Sequence, residues 1–223
     1  HDLETRDDRL GIVLLMEGAD PIRSPEDVPQ WDARGLRMVG LAWAAGSRSA
    51  GGNGPPPGET APVLEDTGPL TSEGIAMIRA LDDAGIMHDA SHLSDAALDG
   101  LLEHARGPVV ATHSNCRALL DDWQRHLRDD HIRAIAARGG VIGLNLFTRF
   151  LALVRRATID DCVAHVEHVI EVAGRRDIVA LGSDMDGGFG PDQLPVGLDH
   201  PAKLDRLAEA LRSPGWSDAD VAG

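Results

Sequence analysis

The stretch Met87–Asn115, MHDASHLSDAALDGLLEHARGPVVATHSN, decides the fold. It holds two short apolar runs, residues 86–92 and 108–113, and each ends in a histidine, His92 and His113. Between them Ser94 is placed to N-cap a helix whose Ala97, Leu98, Leu101, Leu102 and Ala105 recur at helical spacing. A strand–helix–strand unit of this length makes the two strands parallel. Both strand ends then point the same way, and the two imidazoles emerge side by side at the carboxyl edge of the sheet. That edge carries the active site in α/β barrels. A single histidine after a strand is most often a hydrogen-bonded structural residue. Two at matching positions make the start of a metal site.

The same pattern extends outward. Apolar runs at 12–17, 38–43, 86–92, 109–114, 141–147 and 178–184 read as six strands. The first, read as buried, closes on Glu17, and the last on Asp184. Helix signals separate most of them. Ser24-Pro25-Glu26-Asp27 opens a short helix to about Arg34, and Thr71 or Ser72 caps one stopped by Gly85. Asp129–Ala137 ends at Gly139-Gly140. Thr158-Ile159-Asp160-Asp161 fits a capping box, with Gly174 as its stop, and a last helix covers about 201–211. Residues 44–69 form a long Gly/Pro/Ser-rich loop that follows a strand and so is placed to wall the site. Alternating strands and helices without a repeat mean one α/β domain over residues 1–223.

Six parallel strands make most of a TIM-type (β/α) barrel, whose eight strands ordinarily need about 250 residues. A capped helix start at Ser217-Asp218-Ala219-Asp220 has only three residues after it. The expectation is a barrel that lacks its first strands and its C-terminal end in this sequence. The net charge of −15 argues against nucleic-acid and anionic-membrane partners. No apolar run approaches the ~20 residues that span a bilayer. Two distant cysteines, Cys116 and Cys162, form no disulfide framework, which suits a reducing, cytoplasmic setting.

The phrases MEGAD, DASHLS, THSN and GSDMDG, in that order, resemble the renal (membrane) dipeptidase family of zinc peptidases, amidohydrolase-like barrels. The resemblance runs from about Gly11 to the chain end. It implies two zinc ions bridged by Glu17, with His92 and His113 on the second ion. It makes Asp184 the group that handles the proton of the attacking water. It makes Arg125 the residue that binds the substrate carboxylate. The implied substrate is a small dipeptide or a related amide with a free carboxylate, and a homodimer is compatible with it. Zinc suits imidazole nitrogen and carboxylate oxygen, and two ions about 3.5–4 Å apart can share one hydroxide and polarise the scissile carbonyl.

Two departures stand out. No His-x-Asp pair, the family's ligands for the first zinc, precedes Glu17. Trp43 stands where the family carries a substrate-binding histidine, and it is read here as a packing residue. Both favour rival readings: a non-catalytic barrel descendant with a partial metal site that serves as a binding protein, or a mononuclear amidohydrolase acting on another amide. Asp186 reads as structural, and His88, His104, His126, His131, His165, His168 and His200 as non-ligands.

Overall fold

The structure, a computed structural model, describes residues 11–55, 67–212, 215–217 and 220. Strands β1 (Leu14–Glu17), β2 (Leu36–Gly40), β3 (Met87–Asp89) and β4 (Val109–Val110) pair in parallel in chain order. Strands β5 (Ile142–Leu144) and β6 (Val179–Leu181) pair in parallel as well. A single parallel bridge, Ala111 with Ile142, joins the two groups. The Ala111 amide donates to the Val141 carbonyl at 2.9 Å, and the Gly143 amide to the Ala111 carbonyl at 2.7 Å.

The helices are α1 (Val28–Asp32), α2 (Ser72–Asp83), α3 (Asp95–His104), α4 (Asp129–Ala137), α5 (Ile159–Ala173) and α6 (Asp205–Arg212). From α2 onward each packs against the next, a layer over a sheet whose strand order follows the chain. The helix starts are fixed by side chains read from sequence. The Thr71 hydroxyl accepts from the Gly74 amide, and the Ser94 hydroxyl from the Ala97 amide, both at 3.0 Å. At α5 the Asp161 carboxylate accepts from the Thr158 amide at 2.7 Å and from its hydroxyl at 3.0 Å. Gly174, in the left-handed conformation at φ 73°, ends that helix with its amide on the Ile170 carbonyl. Met77, Ile78, Leu81, Leu101, Ile132 and Ile135 are fully buried between helices and sheet. Truncating one such side chain to alanine costs about 2–5 kcal/mol.

Two expectations change. From β2 to β6 each ladder ends before its apolar run does, because the last residues of the run turn into loops at the carboxyl edge, while β1 starts later than its run. The first strand is also not buried: Leu14 and Leu15 are 50% and 41% exposed. The reason is position. β1 is the edge of its sheet among the described residues, and Leu181 on β6 is exposed for the same reason. The thiols of Cys116 and Cys162 are free and buried, and burial pushes each up to about 12, so both stay protonated. Among the described residues no helix is long and apolar enough to cross a membrane.

Candidate metal centre

The register of the sheet lines up the site. Glu17, Gly40, Asp89 and Val110 are successive pairing partners across β1 to β4. His92 stands three residues beyond Asp89, and His113 three residues beyond Val110. Both imidazoles therefore reach the same height above the sheet, over the carboxylate of Glu17. Glu17 Oε1 lies 3.3 Å from His92 Nε2 and 3.2 Å from His113 Nε2, and the two Nε2 atoms are 3.0 Å apart. These three residues are the one group of metal-ligand type found among the described residues.

The outer nitrogens decide what lies between them. His92 Nδ1 is 2.9 Å from Asn53 Oδ1, an acceptor, so Nδ1 carries the proton. The Thr112 hydroxyl donates to Asp89 Oδ2 at 2.6 Å, which leaves its oxygen to accept from His113 Nδ1 at 2.8 Å. Asp89 is itself held by the Ser91 amide at 3.0 Å and the Thr112 amide at 2.9 Å. With the proton on Nδ1, each imidazole in its neutral form turns a lone pair toward the other and toward Glu17. Three lone pairs at 3.0–3.3 Å repel unless a cation sits among them. Ligand atoms around a tetrahedral zinc with bonds of about 2.1 Å stand about 3.4 Å apart, close to this spacing. The donor set and the hydrogen-bonded outer nitrogens fit a zinc site.

Electrostatics favour the neutral form of His92. Burial pushes the His92 imidazole down to about 4, and the charge of Arg125 adds to it. His92 also adopts φ 67°, a left-handed conformation that costs a non-glycine residue about 1 kcal/mol or more. Strain of this kind collects where geometry is fixed for function.

Asp184 and Arg125 lie outside the three-residue cluster. Asp184 follows β6 at φ 54°, and its Oδ2 accepts from Asn145 Nδ2 at 3.0 Å. Asn145 is fully buried, and its amide donates to Asn115 Oδ1 at 3.0 Å. Methyl groups at Gly143 or Gly182 would collide with the Thr112 carbonyl oxygen, so both positions must be bare for the loop bearing His113 to seat. Arg125 is buried, not a surface charge. Its Nη2 donates to the His113 carbonyl at 2.8 Å, its Nη1 to the Ser114 hydroxyl at 3.0 Å, and its guanidinium lies 4.9 Å over the Phe150 ring. Burial lowers it to about 10, opposed by the charges of Asp184, Asp89 and Glu17. Among the described residues its Nε is buried without a partner, and no carboxylate pairs with it.

Trp43 is not a packing residue: it is 55% exposed, with its ring centroid 5.8 Å from that of His92. Its neighbours Leu41 and Ala42 take the core instead. Asn53, Thr112, Asp89 and Asn145 were not singled out from sequence. Thr112 and Asp89 flank the histidines in THSN and DASHLS, so proximity was their one available signal. Of the other histidines, His88 binds Asp82, His131 binds Asp99, and His168 binds Asp129, at 2.8–2.9 Å.

The profile of the membrane dipeptidase family (peptidase family M19) matches residues 1–223. The chain belongs to the membrane dipeptidase family. Among curated relatives, an uncharacterized protein from the pqqA 5′ region of Klebsiella pneumoniae is 37% identical over 219 residues. That match takes in 95% of this chain and 77% of the relative. An uncharacterized dipeptidase of Schizosaccharomyces pombe is 37% identical over 227 residues, covering 96% of this chain and 50% of that protein. A metallopeptidase from Rhodobacter sphaeroides, solved with a phosphinate mimic of the dipeptide L-Ala-D-Ala, superposes with TM-score 0.79 at 28% identity. It is matched over 93% of this chain and 58% of its own length. A second solved M19 metallopeptidase, dipeptidase AC, gives 0.80 at 28%, over 94% of this chain and 61% of its own. The chain therefore spans about three fifths of those solved proteins.

Proposed function

We propose that this chain carries the catalytic centre of a zinc-dependent dipeptidase. In this reading a single domain over residues 1–223, built as a (β/α) barrel, hydrolyses small dipeptides or related amides with a free carboxylate. The convergence of the Glu17, His92 and His113 lone pairs is the observation that carries the reading. Glu17, His92 and His113 hold the metal, and the 42% exposure of the Glu17 side chain leaves that side open to substrate. Bound zinc supplies a Lewis acid for the scissile carbonyl and an acidified water.

The remaining steps belong to the chain. Asn145 donates to one oxygen of Asp184, and in this reading the Asp184 carboxylate takes the proton of the attacking water. As the water oxygen bonds to the carbonyl carbon, its proton passes to Asp184. When the C–N bond breaks, that proton goes to the leaving amine. Arg125 supports the free-carboxylate requirement, because a buried guanidinium without a carboxylate partner among the described residues attracts an anion.

The test is hydrolysis of a dipeptide panel by the full-length, zinc-loaded protein, with N- and C-terminally blocked forms as controls. Free-carboxylate dipeptides are expected to be cleaved, C-terminal amides at least about tenfold more slowly for want of the charged contact, and chelation to stop the reaction. A panel left intact by zinc-loaded protein contradicts the proposal and favours a binding role or another amide.

A further inference from the structure

We propose that Trp43 is a specificity-determining wall of the substrate cleft, receiving bulky apolar side chains of the dipeptide. The inference rests on the dipeptidase reading above. Its origin is a match of position. Gly40 pairs with Asp89, and Asp89 with Val110; Trp43, His92 and His113 each stand three residues beyond those partners. Trp43 thus occupies on the β2 loop the place that the two candidate ligands occupy on the β3 and β4 loops. An indole cannot serve there as a zinc ligand, since its N–H is a donor without a lone pair. What it offers beside the metal is a flat apolar face.

The surroundings hold that face in place. The Trp43 carbonyl accepts from the Gly46 amide at 2.9 Å, and a methyl group at Gly52 would strike the Trp43 and Ala44 carbonyl oxygens. The indole sits 5.8 Å from His92, tilted 40° to it, and makes no hydrogen bond within the protein among the described residues. His92 is in turn fixed by Asn53 from the same loop. An anchored, 55% exposed tryptophan is unusual in a chain with only three phenylalanines and four tryptophans. A leucine or phenylalanine side chain of the substrate covers it and removes apolar surface from water; an alanine side chain leaves it wet.

The experiment compares wild type, Trp43→Ala and Trp43→Phe as full-length, zinc-loaded proteins. It measures kcat/KM for Phe-Ala, Ala-Phe, Leu-Ala and Ala-Leu relative to Ala-Ala, with zinc content determined for each protein. In Trp43→Ala the preference for the bulky member is expected to fall by about 10–200-fold, mostly through KM, as for a lost apolar contact in a specificity pocket. Trp43→Phe retains most of it. Tryptophan fluorescence gives a readout independent of turnover: a phosphinate mimic of the preferred dipeptide shifts the wild-type emission, and that shift is lost in Trp43→Phe. An unchanged preference in Trp43→Ala, or a fluorescence shift that survives in Trp43→Phe, overturns the wall. A wild type that cleaves no dipeptide overturns the dipeptidase reading itself, so the two failures are distinguishable.

Discussion

Replacing His92 and His113 together with alanine abolishes zinc binding and, on the proposed mechanism, dipeptide hydrolysis with it. Two of three donors are lost, and a lone carboxylate with 42% of its side chain exposed holds zinc weakly. The protein itself should remain folded. The two rings sit at the carboxyl edge beyond the ladders, and the main core of Met77, Ile78, Leu81 and Leu101 lies beneath, away from them. Relieving three converging lone pairs also offsets part of the packing lost. The check is metal analysis after exhaustive dialysis, with circular dichroism on the same samples. A double variant that keeps the wild-type zinc content shows that the metal lies elsewhere.

The second large effect is expected at Asp184. Asp184→Asn preserves shape, but an amide cannot take the proton from water. The expected fall in kcat is about 10²–10⁴-fold, the range for a lost general acid–base group. KM changes much less, because the lost interaction belongs to the transition state. Zinc content stays at the wild-type level, because Asp184 is not among the three converging donors. Steady-state kinetics on metal-replete protein decide the point, and full activity in the variant removes Asp184 from the reaction.

Much of this was readable before any coordinate. His92 and His113 came from one physical regularity: apolar runs joined by helices make parallel strands, and parallel strands deliver their last residues to one edge; Glu17 is a strand-end carboxylate whose place at the metal the family resemblance implies. The caps at Thr71, Ser94 and Thr158 were legible because capping depends on residues three apart. Other features depend on distance across the fold. Asn53 lies 39 residues from His92 in a loop without periodicity, and nothing local links the two. Trp43 ends an apolar run, and periodicity does not say which way the residue after a strand will face. Arg125 lies in an irregular segment, where charge alone suggests the surface; only the path of that segment beneath His113 buries it. The exposure of β1 follows from its place at a sheet edge, which an apolar run cannot reveal.

The central claim is that Glu17, His92 and His113 hold one zinc through two imidazole nitrogens and a carboxylate oxygen. X-ray absorption at the zinc edge, on full-length protein loaded with zinc, tests it most directly. The account predicts nitrogen and oxygen neighbours at about 2.0–2.2 Å and the outer-shell scattering of two imidazole rings, reduced to none by the double histidine substitution. An oxygen-only shell without imidazole scattering, or sulfur at about 2.3 Å, would contradict it.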